Sequence, residues 1–153
     1  MATVRVTNTF PGSVHEAETC WYATARWPHW VNELAHVVSV DGDWPRPGAS
    51  VTWRSGPAGR GRVHERVVAH EALRGQTVEV EDDSIRGRQR VTFTPADGGV
   101  EVELSLQYAI KRRSPLTPLI DALFVRRPMA NSLGKTLTRF GAELAESRHA
   151  SVG

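Results

Sequence analysis

Cysteine is nearly missing from this chain: among 153 residues only Cys20 occurs. A lone thiol has no partner for an internal disulfide or a cysteine metal cluster, so a reducing compartment is expected. Cys20 falls in an apolar helical run, where it reads as a small buried hydrophobe. The histidines, His15, His29, His36, His64, His70 and His149, show neither HxH nor HxxxH on a clear helix, and no metal site is expected. No GxGxxG leads from a strand into a helix, and there is no P-loop and no GxSxG elbow. Gly59-Arg60-Gly61-Arg62 reads as a tight turn between strands. Nucleotide and nucleophilic-serine chemistry are therefore set aside, and no cofactor is expected. Long apolar runs are missing too: none approaches the ~18 residues of a membrane-spanning helix. The opening MATVRVTNTF alternates too soon for a signal peptide. A cytoplasmic protein is the expectation.

What is present suits one domain over residues 1–153. Five Trp, four Phe and two Tyr can fill a globular interior, and 24% charged residues is ordinary, which argues against disorder. The net charge of +2 says little, but its distribution says more. Lys111, Arg112, Arg113, Arg126, Arg127, Lys135 and Arg139 face Asp121 alone over the same span. This makes the polar side of the last helix basic, either a solvated face or one that attracts an acidic carrier protein, a membrane surface or a nucleic acid. Nucleic acid is the least expected of these.

Taken in order, Val4, Val6 and Phe10 share one face of an opening strand, with Asn8 in the same phase. Pro11-Gly12 ends it, and Ser13 caps a helix over Val14 to Thr24 that turns Ala17, Cys20 and Trp21 inward. Trp27-Pro28-His29-Trp30 begins a second short helical turn. Strands follow over His36 to Val40, Ala49 to Ser55, Arg60 to Glu71, Thr77 to Asp82, Arg88 to Thr94 and Val100 to Ile110, parted by short turns, which is an antiparallel meander. In the last strand Val100, Val102, Leu104, Leu106, Tyr108 and Ile110 alternate with polar residues, so one face meets a core.

The segment from Ser114 to Ser147 has helical spacing at Leu116, Leu119, Ile120, Leu123 and Phe124, and again at Leu133, Leu137, Phe140 and Leu144. Ser114 is a good N-cap. Pro128 should kink or break the helix near Arg126-Arg127, because proline loses a backbone hydrogen bond and crowds the carbonyl four residues back. Residues 148–153 read as a loose tail. The fold class is α+β: a curved antiparallel sheet of about seven strands around one long C-terminal helix, with two short helices after the first strand. Such a helix cannot fill the concavity, which predicts an internal pocket, with Leu119 and Leu123 on its wall.

This order of elements resembles the helix-grip fold of the START-like, or SRPBCC, superfamily over Val4 to Glu146. The strings that carry the likeness are Arg26-Trp27-Pro28-His29-Trp30, the Pro47-Gly48 step before Thr52-Trp53-Arg54, and Phe124-Val125-Arg126-Arg127. They are similar to the actinobacterial polyketide cyclase/dehydrase branch. The resemblance implies a cavity for a hydrophobic small molecule, in a group that includes aromatase/cyclases, other enzymes and simple ligand binders.

Polar residues in the inward phase of each strand are the pocket candidates. Glu65 lies between Val63 and Val67, so a regular strand aims its carboxylate into the cavity, where desolvation raises its pKa and suits it to proton transfer. A bulge that turns it to solvent, or a buried pair with an arginine, is the alternative. Asp82 and Gln89 share inward phases with Val80 and Val91, although a turn carboxylate such as Asp82 commonly caps backbone amides. Asn8 and Tyr108 can hold a ligand oxygen or satisfy buried backbone. Trp53 and Phe93 share the inward face, and Trp27 and Trp30 flank the mouth, to stack on a ligand or to pack the core. Arg54 and Arg66 fall outward. Three functions remain: a cyclase/dehydratase with Glu65 as acid/base group, a non-catalytic carrier of a lipid or aromatic metabolite, and docking of an acidic partner on the basic helix.

Overall fold

The valine-rich alternation becomes a seven-stranded antiparallel sheet: β1 (Ala2–Pro11), β2 (Leu34–Asp41), β3 (Ser50–Ser55), β4 (Arg62–Glu71), β5 (Gly75–Glu81), β6 (Ile85–Ala96) and β7 (Gly99–Ile110), in the order β1-β7-β6-β5-β4-β3-β2. The computed structural model describes residues 2–57, 59–111 and 115–152. After β1 come α1 (Val14–Tyr22), a 3-10 turn (Thr24–Arg26) and α2 (Trp27–Trp30). After β7 come α3 (Thr117–Ile120), a π-helical stretch (Asp121–Val125) and α4 (Arg126–Val152), which packs against β1, α1 and α2. This is the helix-grip architecture. Ser13 caps α1 as expected, in a reciprocal box with Glu16.

Strand pairing sets the inward side chains in rows. Val51 pairs with Glu65, Glu65 with Val80, Val80 with Gly87 and Gly87 with Tyr108; the next row runs Val67, Val78, Gln89, Leu106 and Val4. Because successive side chains alternate between faces, members of a row share one face, and all of these except Gly87 and Gln89 are buried. Arg54 and Arg66 are exposed on the outer face, where Arg66 Nη2 lies 2.8 Å from Glu79. β6 begins three residues earlier than Arg88 because Gly87 belongs to the strand and not to the turn. A Cβ there would sit 2.1 Å from the Gln107 carbonyl oxygen, so the close approach of β6 to β7 requires glycine.

The second half of the C-terminal segment follows its periodicity, with Leu133, Leu137, Phe140 and Leu144 buried. The first half departs from it. Leu119 is 56% and Phe124 70% exposed, so this stretch is not the expected pocket wall. The Leu123 side chain and the expected cap Ser114 lie outside the described residues. Pro128 does not break the helix at Arg126-Arg127. The irregularity sits one turn upstream, where the Arg126 N–H donates to the Asp121 carbonyl five residues back. This widened turn absorbs the proline that cannot bond to Phe124. The expected loose tail is instead helical to Val152: no glycine or proline interrupts it, and Arg148 Nε lies 3.4 Å from Glu16 Oε2 on α1.

Candidate functional site

Between the sheet, α2 and α4 lies a cavity of about 40 Å3, space for little more than a water molecule. Its walls include Trp27 and Trp30 from α2, Trp53 from β3, Glu65 from β4, Gln76 and Val78 from β5, Gln89 from β6, and Ser132, Leu133 and Thr136 from α4. A more open groove of about 250 Å3 is lined by Asp82, Ile85, Ile110, Phe124, Val125 and Met129. Cavity and groove adjoin, since Arg60 and Ser132 line both. Two further open grooves of about 640 Å3 cover the strand surfaces, with solvent-facing charges such as Arg66, Glu79, Arg88 and Arg90.

Glu65 is where its strand phase predicts, 7% exposed and facing the cavity. Trp53, diagonal to it across the β3–β4 pairing, donates its indole N–H to Glu65 Oε2 at 2.6 Å. Burial raises the Glu65 pKa; the Trp53 hydrogen bond and the Arg60 charge oppose this without cancelling it. The group is therefore held toward its neutral, proton-donating form. Arg60 donates from Nε to Asp82 Oδ2 at 2.7 Å, and its guanidinium carbon lies 5.7 Å from the centre of the Trp53 ring. Its Nη2 is buried without a partner among the described residues, as is the Trp30 indole nitrogen.

The sequence-predicted residues divide. Trp27, Trp30, Trp53, Glu65 and Gln89 meet around the inner cavity. Asp82 lines only the groove: its Oδ1 accepts from the Ser84 and Ile85 amides, as a turn carboxylate does, while Oδ2 holds Arg60. Asn8 shares the inward phase but is exposed at the edge strand, its Oδ1 bonded to the Thr9 amide, so it does not reach the pocket. Phe93 is buried against Trp21 and Tyr22 and does not line the cavity. Tyr108 is turned away, its hydroxyl donating to Asp121 Oδ1; burial and that bond push its pKa up to about 12. Trp27 and Trp30 are core residues and not mouth residues: Trp30 packs against Trp21 and Phe140 with ring centres 4.7 and 5.1 Å apart.

Arg60, Gln76 and Asn32 complete the site. Arg60 lies in the β3–β4 turn, where alternation carries no information, and Gly61, at a φ of 75°, shapes that turn. Gln76 is buried with its amide on the Pro45 carbonyl. Asn32, from the turn after α2, donates its backbone N–H to the Thr136 hydroxyl at 2.9 Å and its Nδ2 to the Ser132 hydroxyl at 2.9 Å, which ties that turn to α4. Gln76 is in phase with Val78 and Val80 on β5, an alternation that could have found it; for Arg60 and Asn32 the only sequence signal is polarity beside an apolar stripe. Of the basic residues, Lys111, Arg126 and Arg139 turn to Glu81, Asp121 and Asn32, while Arg112 and Arg113 lie outside the described residues. Among the described residues no cluster of His, Cys, Asp or Glu could hold a metal ion, and no helix is long and apolar enough to cross a membrane.

The family model described as "Polyketide cyclase / dehydrase and lipid transport" matches residues 1–145. No curated protein matches the chain. Among solved structures, TTHA0849 from Thermus thermophilus is similar with a TM-score of 0.75 at 19% identity, covering 95% of this chain and 99% of that one. Ara h 8.0201 is similar at 0.70 and 15%, over 94% and 98% of the two chains. The di-domain ARO/CYC StfQ from the steffimycin biosynthetic pathway reaches 0.76 at 17%, covering 96% of this chain and 51% of that one. At these identities the likeness concerns the fold.

Proposed function

Because the chain belongs to the polyketide cyclase/dehydrase and lipid-transport family of the START-like (SRPBCC) superfamily, we propose that it binds a hydrophobic polyketone in the groove and cavity and acts as a cyclase/dehydratase through Glu65. The observation that carries this reading is a buried carboxyl facing the cavity, raised in pKa and held by Trp53. In a dehydration the neutral acid protonates the departing hydroxyl, which leaves as water. The resulting carboxylate, held by the Trp53 N–H, takes the adjacent carbon-bound proton as the double bond forms, restoring the acid. Orientation of the substrate body along the groove, with its reacting end toward the cavity, supplies the rest.

Glu65→Gln keeps shape and an oxygen for the Trp53 hydrogen bond but cannot act as an acid or a base. With a synthetic polyketone as substrate, product formation should fall by about 10²–10⁴-fold while calorimetry shows binding retained. An unchanged rate with intact binding removes Glu65 from the chemistry.

A second reading, carriage without chemistry, is favoured by the mainly apolar outer groove, where Ile85, Ile110, Val125 and Met129 meet Phe124. Native mass spectrometry of protein purified without added ligand separates the two. A co-purified apolar molecule that is never converted supports carriage, and turnover of a polyketone refutes it.

A further inference from the structure

Resting on the binding reading above, we propose that the ligand enters head first: a neutral carbonyl oxygen lies in the inner cavity against Arg60 Nη2 and Trp30 Nε1, and its apolar body stays in the groove beside Phe124 and Met129. Three buried side-chain polar atoms lack a partner among the described residues: Tyr22 Oη, Trp30 Nε1 and Arg60 Nη2. Such orphans are rare in folded proteins, and each calls for a cause. Tyr22 lies among the Trp44, His70 and Phe93 rings. The other two belong to residues lining one cavity, Trp30 being only 1% exposed. Both are donors and neither can accept, so what they lack is an acceptor.

The size of the space limits that acceptor. A cavity of about 40 Å3 admits a small head and excludes a ring or a chain, which the adjoining groove of about 250 Å3 can take. Arg60 and Ser132 stand where the two meet, so a molecule lying across that junction places its polar end inward and its apolar part against Ile85, Ile110 and Val125.

Charge then separates a carbonyl from a carboxylate. Arg60 is already paired with Asp82 at 2.7 Å, so most of its charge is balanced and Nη2 offers chiefly a hydrogen bond. The facing carboxyl, Glu65, would repel an anion whenever it ionised. A buried full charge without a compensating partner is costly, whereas a carbonyl needs only the two N–H groups.

The test uses three probes built on one nine-carbon main chain: 2-nonanone, its alkene isostere 2-methyl-1-nonene, and nonanoate, each titrated into the intact protein by calorimetry or by displacement of a fluorescent apolar dye. The wild type should bind the ketone about tenfold or more tighter than the alkene, because the alkene leaves both donors unpaired, and tighter than nonanoate. Trp30→Phe should reduce the ketone-to-alkene ratio. Arg60→Met combined with Asp82→Asn, which avoids stranding a buried carboxylate, should bring it close to one; because the ratio is taken within each variant, a change in apolar contact common to both probes cancels. A ratio near one in the wild type, with both probes bound, overturns the head-group assignment and leaves hydrophobic binding standing. Tighter nonanoate overturns the choice of a neutral head. Failure of all three probes to bind overturns the binding reading itself and this inference with it.

Discussion

Glu65 is unusual in that its neighbours stabilise it imperfectly. Desolvation raises its pKa above the ordinary carboxylate value of 4.5, more than the Trp53 hydrogen bond and the Arg60 charge lower it. The folded protein therefore keeps a proton that the unfolded chain releases. Between the unfolded and the folded pKa the native state binds more protons, so stability falls as pH rises, by at most about 1.4 kcal/mol per pH unit. Glu65→Gln removes this dependence. Urea unfolding at pH 5 and pH 8 should show the variant gaining on the wild type at the higher pH; equal losses in both would mean that Glu65 is ionised and paired at neutral pH. The inward placement of Glu65 was legible from the alternation of Val63, Glu65 and Val67. Arg60 was not, because a residue in a glycine-flanked turn has no phase to read.

At the scale of elements, the segment from α3 through the π-helical stretch is held differently from the rest of α4. Its large side chains Leu119, Ile120 and Phe124 are exposed, so little apolar burial fastens it. The Tyr108 hydroxyl bonded to Asp121 reaches from β7 to this segment, and Arg126 Nε lies 3.9 Å from the same carboxylate. Tyr108→Phe deletes that link while keeping the ring in the core. Amide hydrogen exchange should then quicken over Thr117–Val125 and stay unchanged over Leu133–Leu144, with a global cost of about 1 kcal/mol. Uniform exchange across both stretches would contradict the tether. Helical spacing revealed that a helix runs here and could not reveal which half it buries, since Leu119 and Leu137 look alike until something packs on one of them.

For the whole molecule, the seam between helix and sheet converges on Phe140. Its ring centre lies 5.8 Å from Phe10 on β1, 5.0 Å from Trp21 on α1 and 5.1 Å from Trp30 on α2. Phe140→Ala opens a void where four elements meet and should cost about 3–5 kcal/mol, read from the denaturation midpoint. Phe124→Ala, at a side chain 70% exposed, should stay within about 0.5 kcal/mol. A comparable loss at both positions would show that the exposed segment is part of the core.

The sequence by itself determined the order of elements, the inward faces of the strands and the position of Glu65, because a period of two or of 3.6 is a local property that burial turns into a core. The start of β6, the course of the chain after Ser147 and the exposure of Asn8 depended on neighbours: a close strand, a partner on α1, an uncovered sheet edge. Only the tertiary structure decided which residues meet. It brought Arg60 from a turn and Trp30 from a short helix to the same small cavity as Glu65, because distance in space depends on how the sheet curves and where the helix crosses it, and neither is written in any single stretch of chain.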